Sequence, residues 1–347
     1  MFKRILLVLL PLFSVSISYA STQQAENAHY EFDIAAVFLK PGASNLNYVI
    51  NNKELPVQSP TWAEQEIKPN YKPGFELGGR YLFPNNGLSV ALTWTNLFNN
   101  KNASIAADGL TYFLGPDYEI GPGGLVIRNA TGNAKFWYNV VNLDLAKDVH
   151  FDHNFDVRFF GGLSYGSLQE KVTAVYSGNR TTTYPGPFSM QQVVKSKCNG
   201  LGPRVGAKVD YNVSGGFGFW GETALSALIS NIKSTTNFTG TSQELLTVYN
   251  QAQNYQSITD QRVYQVIPGF EMKLAAKYAR TFKNHNKLTI SLGWQAAVYV
   301  NAISQYLPQS LVSGQGIETG GIFVSTMVNK ISNYSVQGPF VKLVYAM

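Results

Sequence analysis

The chain has 347 residues, of which only 14% are charged and 13% aromatic, with a formal net charge of +6. Charge is well below the roughly 25% of soluble domains, while a mean hydropathy of −0.09 excludes a bundle of membrane helices. The charge is too mild, and too scattered, to point to nucleic acid.

Residues 1–20 read as a signal peptide. Lys3 and Arg4 form the basic start, Ile5 to Leu10 and on to Phe13 form the apolar centre, and Ser18-Tyr19-Ala20 supplies the small residues for cleavage after Ala20. The expected mature unit is a single domain, 21–347. Beyond the leader no run reaches the roughly 18 apolar residues of a membrane helix. A membrane fate therefore requires a closed barrel, the sheet form that satisfies its own backbone in lipid.

Strand signals begin at 30–40, where Tyr30, Phe32, Ile34, Ala36 and Phe38 alternate with Glu31, Asp33, Ala35 and Val37. A polar segment, 41–72, carries Pro41-Gly42, Pro56, Pro60 and Pro69. Strand 74–83 sets Phe75, Leu77 and Tyr81 against Glu76 and Arg80, and Pro84-Asn85-Asn86-Gly87 is a tight turn. Strand 88–98 follows, with Leu88, Val90, Leu92 and Trp94 on one face. Beyond a loop at 99–132 come strands 134–148 and 155–170, then a polar loop at 177–197. Strands 201–211 and 217–230 are joined by Asn212 to Gly215, and a Ser/Thr/Asn/Gln loop fills 233–258.

The clearest pattern is a hairpin at 262–301. Tyr264, Val266, Pro268, Phe270, Met272, Leu274, Ala276 and Tyr278 occupy one parity, and Glu271, Lys273 and Lys277 the other. After a polar turn, Leu288, Ile290, Leu292, Trp294, Ala296, Val298 and Val300 repeat the pattern against Thr289, Ser291, Gly293, Gln295 and Asn301. A helix turns about 200° every two residues and would scatter these rows. Strict period two means strands. Each is about 14 residues, which at about 40° of tilt covers about 35 Å, a bilayer's apolar band with its aromatic girdles. A loop at 302–333 and a strand at 334–346, with Val341, Leu343 and Tyr345 facing out, complete the chain.

Connections alternate long and short, beginning long. The expected fold is all-β: a transmembrane antiparallel barrel of about ten to twelve strands with long extracellular loops and short periplasmic turns, in a bacterial outer membrane. Weak strand-like pieces at 120–128 and 321–328 account for the higher count.

Chemistry is sparse. Gly162-Leu163-Ser164-Tyr165-Gly166 matches G-x-S-x-G, but the nucleophile elbow needs a strand-to-helix turn, and here the motif lies inside an alternating strand. All four histidines, His29, His150, His153 and His285, fall at the expected periplasmic end, away from external substrates. No catalytic residue, metal site or cofactor is expected, and the chain reads as a non-enzyme. Cys198, the one cysteine, either stays a free thiol or pairs with another molecule. The expected lumen-facing charges are Glu31, Asp33, Glu76, Arg80, Asp144, Asp156, Arg158, Arg204, Lys208, Asp210, Glu222, Glu271, Lys273, Lys277 and Lys342. They would line a water path or form a salt-bridged filling, because barrels of about ten to twelve strands lie between the filled and the open sizes. On this facing, arginine at Leu292 should block insertion and arginine at Ser291 should be mild.

Phe38-Leu39-Lys40-Pro41-Gly42, Phe75-Glu76-Leu77-Gly78-Gly79-Arg80-Tyr81 and Leu92-Thr93-Trp94-Thr95 resemble the Legionella-type major outer membrane protein family over essentially the whole mature chain. The resemblance implies a surface-exposed barrel regarded as a porin. Members of that family are associated with cysteine-linked assembly, from which a chain with Cys198 alone departs. The chain also ends in Met347 where such barrels commonly end in an aromatic residue. The expected function is passive diffusion of small polar solutes or ions. The alternative is an adhesion or structural protein with a largely filled barrel and working extracellular loops. Expected partners are outer-membrane lipid, small solutes or ions and host-surface molecules, with no nucleic acid and no oligomeric state specified.

Overall fold

A computed structural model describes residues 29–52, 62–84, 87–112, 125–152, 154–180, 186–242, 254–260, 263–283, 286–313 and 322–347. The leader, His153, His285 and the Asn85-Asn86 turn lie outside them. Thirteen strands are present among the described residues: β1 (His29–Gly42), β2 (Asn47–Asn52), β3 (Trp62–Glu66), β4 (Lys72–Leu82), β5 (Leu88–Tyr112), β6 (Leu125–Asp152), β7 (Phe155–Arg180), β8 (Gly186–Ser214), β9 (Phe217–Ser242), β10 (Asn254–Thr259), β11 (Val263–Thr281), β12 (Lys287–Ser313) and β13 (Ile322–Ala346).

Ten of these close into an antiparallel ring, in the order β1-β4-β5-β6-β7-β8-β9-β11-β12-β13 and back to β1. Closure is set by the chain ends. Ala35 stands opposite Lys342, and Met347 N donates to Tyr30 O at 2.9 Å. The pieces at 120–128 and 321–328 do not add strands; their described parts belong to β6 and β13. Short turns lie at the end that holds the termini, as at Gly215 and Gly216. Their φ values of 58° and 88° supply the two positive angles a two-residue hairpin turn needs. The ten strands form a closed antiparallel β-barrel.

The apolar parity faces outward. Tyr264, Val266, Phe270 and Leu274 on β11, and Ile290, Leu292 and Trp294 on β12, are all exposed, Leu292 by 63%. On the other parity Glu271, Ala275 and Lys277 are buried. Apolar side chains outside and polar ones inside is the pattern lipid imposes.

The strands run much further than the sequence suggests. The described residues of the expected loops at 99–132, 177–197, 233–258 and 302–333 are strand, and β8 reaches 29 residues. At about 3.3 Å per residue and about 40° of tilt such a strand rises about 70 Å, well past the bilayer on the extracellular side. Beyond the membrane the alternation inverts. On β7, Leu163 and Tyr165 face out and Ser164 faces in, but further along Gln169, Lys171 and Thr173 face out while Leu168, Val172, Ala174 and Tyr176 are buried. Water has replaced lipid outside, so the greasy parity moves inside. A search for outward greasy rows stops at that inversion.

Candidate functional site

Among the described residues, ionisable side chains of both signs gather in the lumen, whose wall is the inward parity of the ten ring strands. It divides into levels along the barrel axis.

The periplasmic half is a set of ion pairs. Glu76 on β4 accepts from Lys273 on β11 at 2.6 Å and from Lys342 on β13 at 3.2 Å, and Lys342 also reaches Asp33 at 2.7 Å. Arg204 on β8 pairs with Asp144, with Glu271 at 3.0 Å and more loosely with Glu222 at 3.6 Å. Arg80 binds Glu31 at 3.0 Å and also Asp148, which accepts from Arg158 at 2.6 Å. Lys277 pairs with Asp210. Lys208 lies over the Trp220 ring, 4.6 Å from its centroid, and Arg204 over Phe160. Asp156 sits apart at the periplasmic rim, 2.5 Å from His150. Arg204 and Glu76 are almost wholly buried, so these charges depend on one another rather than on water.

Above the charges lies a level of tyrosines. Tyr299 on β12 donates to Glu271 at 3.0 Å, and its hydroxyl is 3.4 Å from that of Tyr138 on β6. Tyr138 stacks on Tyr334 of β13 with centroids 6.3 Å apart, and Phe136 meets Tyr334 edge-on. A cavity of about 20 Å³ between Glu76, Thr95, Tyr138, Asn142, Glu271 and Lys273 has room for about one water.

The extracellular half is an apolar core. Leu168, Val172, Val194, Cys198, Leu228, Ile267, Ala302 and Ile303 are all fully buried. One carboxylate, Glu170, lies within it and accepts from Asn45 at 2.8 Å and Gln305 at 2.6 Å. The described parts of the segment at 41–72, expected as a polar loop, instead turn into the barrel mouth. Leu46, Tyr48 and Ile67 are buried, and Tyr176 Oη donates to Tyr48 O at 2.5 Å. Gly132 makes room for this insertion. A Cβ there would meet Tyr48 at 2.7 Å and Ile67 at 2.8 Å.

Ser164 is buried in the middle of β7, on no strand-to-helix turn, and Ser167 beyond it bonds Asn199. Among the described residues no cluster of His, Cys, Asp and Glu has a metal-binding arrangement. His150 is engaged by Asp156. Cys198 is a buried free thiol facing the lumen. The sequence reading passed over Asp148, Glu170 and the three lumen tyrosines. Parity was the available signal: Tyr299 shares the face of Ser291 and Gln295.

Among solved structures, the chain is similar to the outer membrane protease OmpT from Escherichia coli, at 11% identity and TM-score 0.47, covering 94% of this chain and 99% of that one. It is also similar to a major outer membrane protein from Thermus thermophilus, at 10% identity and TM-score 0.26, covering 90% and 98%. A third is a FadL homologue of Pseudomonas aeruginosa, at 6% identity and TM-score 0.24, covering 92% and 90%. No curated protein sequence matches. The Legionella pneumophila major outer membrane protein precursor family model matches residues 22–347, nearly the whole chain, and the protein belongs to that family.

Proposed function

We propose that the barrel is a closed membrane anchor whose work is done by the wall and loops that project outside the cell. The contact between Tyr138 and Tyr299 carries this reading. β6 and β12 are five places apart in a ring of ten strands, and side chains from opposite walls that touch leave no path for a hydrated solute. The apolar core and the inserted Tyr48 and Ile67 above that contact support the same conclusion. Ser164, walled into β7, takes no catalytic role in this reading, and Ser164→Ala is expected to leave any hydrolysis unchanged.

A second reading, porin-like passage of ions or small polar solutes, is favoured by the lumen charges themselves. Both signs are spread over eight of the ten ring strands, all but β5 and β12, around a small polar cavity, as in a conducting wall. Purified protein in a planar bilayer separates the two. The anchor reading expects a flat current trace from protein shown to be folded by its altered gel migration before boiling. Regular conductance steps would overturn it in favour of the porin. The surface role has its own check. Cells displaying the chain should lose adhesion to host-surface matrix when residues 243–253 are replaced by a short Gly/Ser link, and unchanged adhesion counts against it.

A further inference from the structure

The outer wall of β6, β7, β8 and β9 changes character in four successive cross-strand rows. The first, Val141-Tyr165-Leu201-Ile229, is apolar and belongs to the membrane belt. The next, Asn139-Ser167-Asn199-Asn231, is amide and hydroxyl. Then comes Trp137-Gln169-Lys197-Lys233, and then Lys135-Lys171-Lys195-Thr235. Five lysines thus stand together on one side of the barrel, and Lys195, Lys197 and Lys233 are exposed.

Among the described strand pairs none of the five stands opposite a carboxylate. Lys135 pairs with Asn100 and Lys171, Lys171 with Lys195, and Lys197 with Gln169 and Lys233. In these four strands Asp144, Asp148, Asp156, Glu170, Asp210 and Glu222 all lie on the lumen parity. Like charges directly opposite on neighbouring strands repel, so the arrangement is unfavourable until an anion bridges it. Position says which anion. Lys197 and Lys233 lie four residues beyond Leu201 and Ile229, about 10 Å further along the axis. That is headgroup depth just outside the hydrocarbon, and long lysine stems reach down or up to suit.

We propose that Lys135, Lys171, Lys195, Lys197 and Lys233 form a binding surface for the phosphate groups of the phosphorylated glycolipid in the outer leaflet. The intervening Asn139, Ser167, Asn199 and Asn231 face its sugar, and the apolar row below faces its acyl chains. A soluble polyanion would satisfy the charges alone. It would not account for their place directly above the lipid belt, with a sugar-compatible row between.

The test compares unfolding temperatures, read from the heat-induced gel shift, for full-length mature protein in phosphatidylcholine vesicles with and without bisphosphorylated lipid A. The wild type should melt higher with lipid A, and should not with the dephosphorylated lipid or with inorganic phosphate. Lys171→Gln/Lys195→Gln/Lys197→Gln should lose that rise. Its melting temperature in phosphatidylcholine alone should match or exceed the wild type, because repulsion is relieved, which also shows that it folds. The control Lys40→Gln/Lys72→Gln should keep the rise. If the triple variant does not insert, Lys171→Gln and Lys197→Gln singly should each reduce the rise. An equal rise in wild type and variants, or one given equally by the dephosphorylated lipid or by inorganic phosphate, overturns the proposal.

Discussion

Tyr138 and Tyr299 stand on opposite walls of a ring of ten strands, yet their hydroxyls are 3.4 Å apart. A barrel with an open lumen keeps such residues separated by water. Here each is buried, and Tyr299 also holds Glu271 at 3.0 Å. The contact joins the charged half of the interior to the apolar half.

Tyr299→Ala should therefore behave as a core deletion. Removing a fully buried ring costs about 3–5 kcal/mol, and the urea midpoint of the folded, heat-modifiable form should fall accordingly. In a water-filled pore the same change would be nearly silent, so an unchanged midpoint contradicts a packed lumen.

Leu292→Arg places a basic group in the lipid belt, where Leu292 is 63% exposed, and should cost about 2–4 kcal/mol and prevent insertion. The structure revises the expectation for its neighbour. Ser291 is 2% exposed and accepts from Trp220 Nε1 at 3.1 Å, so arginine there would overfill the lumen rather than be mild. Ser291→Ala is the fair comparison, with a loss of about 1 kcal/mol. Folding yields in vesicles of the two variants check the facing, and equal losses would refute it.

Glu76→Gln removes the carboxylate shared by Lys273 and Lys342. Breaking a buried pair from one side costs about 3–5 kcal/mol. Lys342 keeps Asp33, so the injury falls mainly on Lys273. Adding Lys273→Met should recover most of the urea midpoint. A double variant no better than the single one would show that the two residues are not coupled.

Cys198 is buried on the lumen face of β8, packed against neighbours that fill the interior. A thiol reagent should leave the folded barrel unlabelled and react fully once it is boiled, with a monomer band on a non-reducing gel throughout. Rapid labelling of the folded form would place the thiol elsewhere.

The sequence alone determined the membrane wall. Lipid outside and polar groups inside impose period two, so Tyr264 to Tyr278 and Leu288 to Val300 declare their facing without any knowledge of neighbours, and the alternation of long and short connections orders the hairpins. Above the membrane the outside solvent changes. On β8, Met190, Val194 and Cys198 turn inward where Leu201 and Val205 had faced out, so strand looked like loop. Only the tertiary structure decided what fills the barrel. Whether Tyr138 reaches Tyr299, or Lys273 reaches Glu76 from 197 residues away, depends on the circumference of the closed ring and on which strands it sets face to face. Neither quantity is written in any local run of residues.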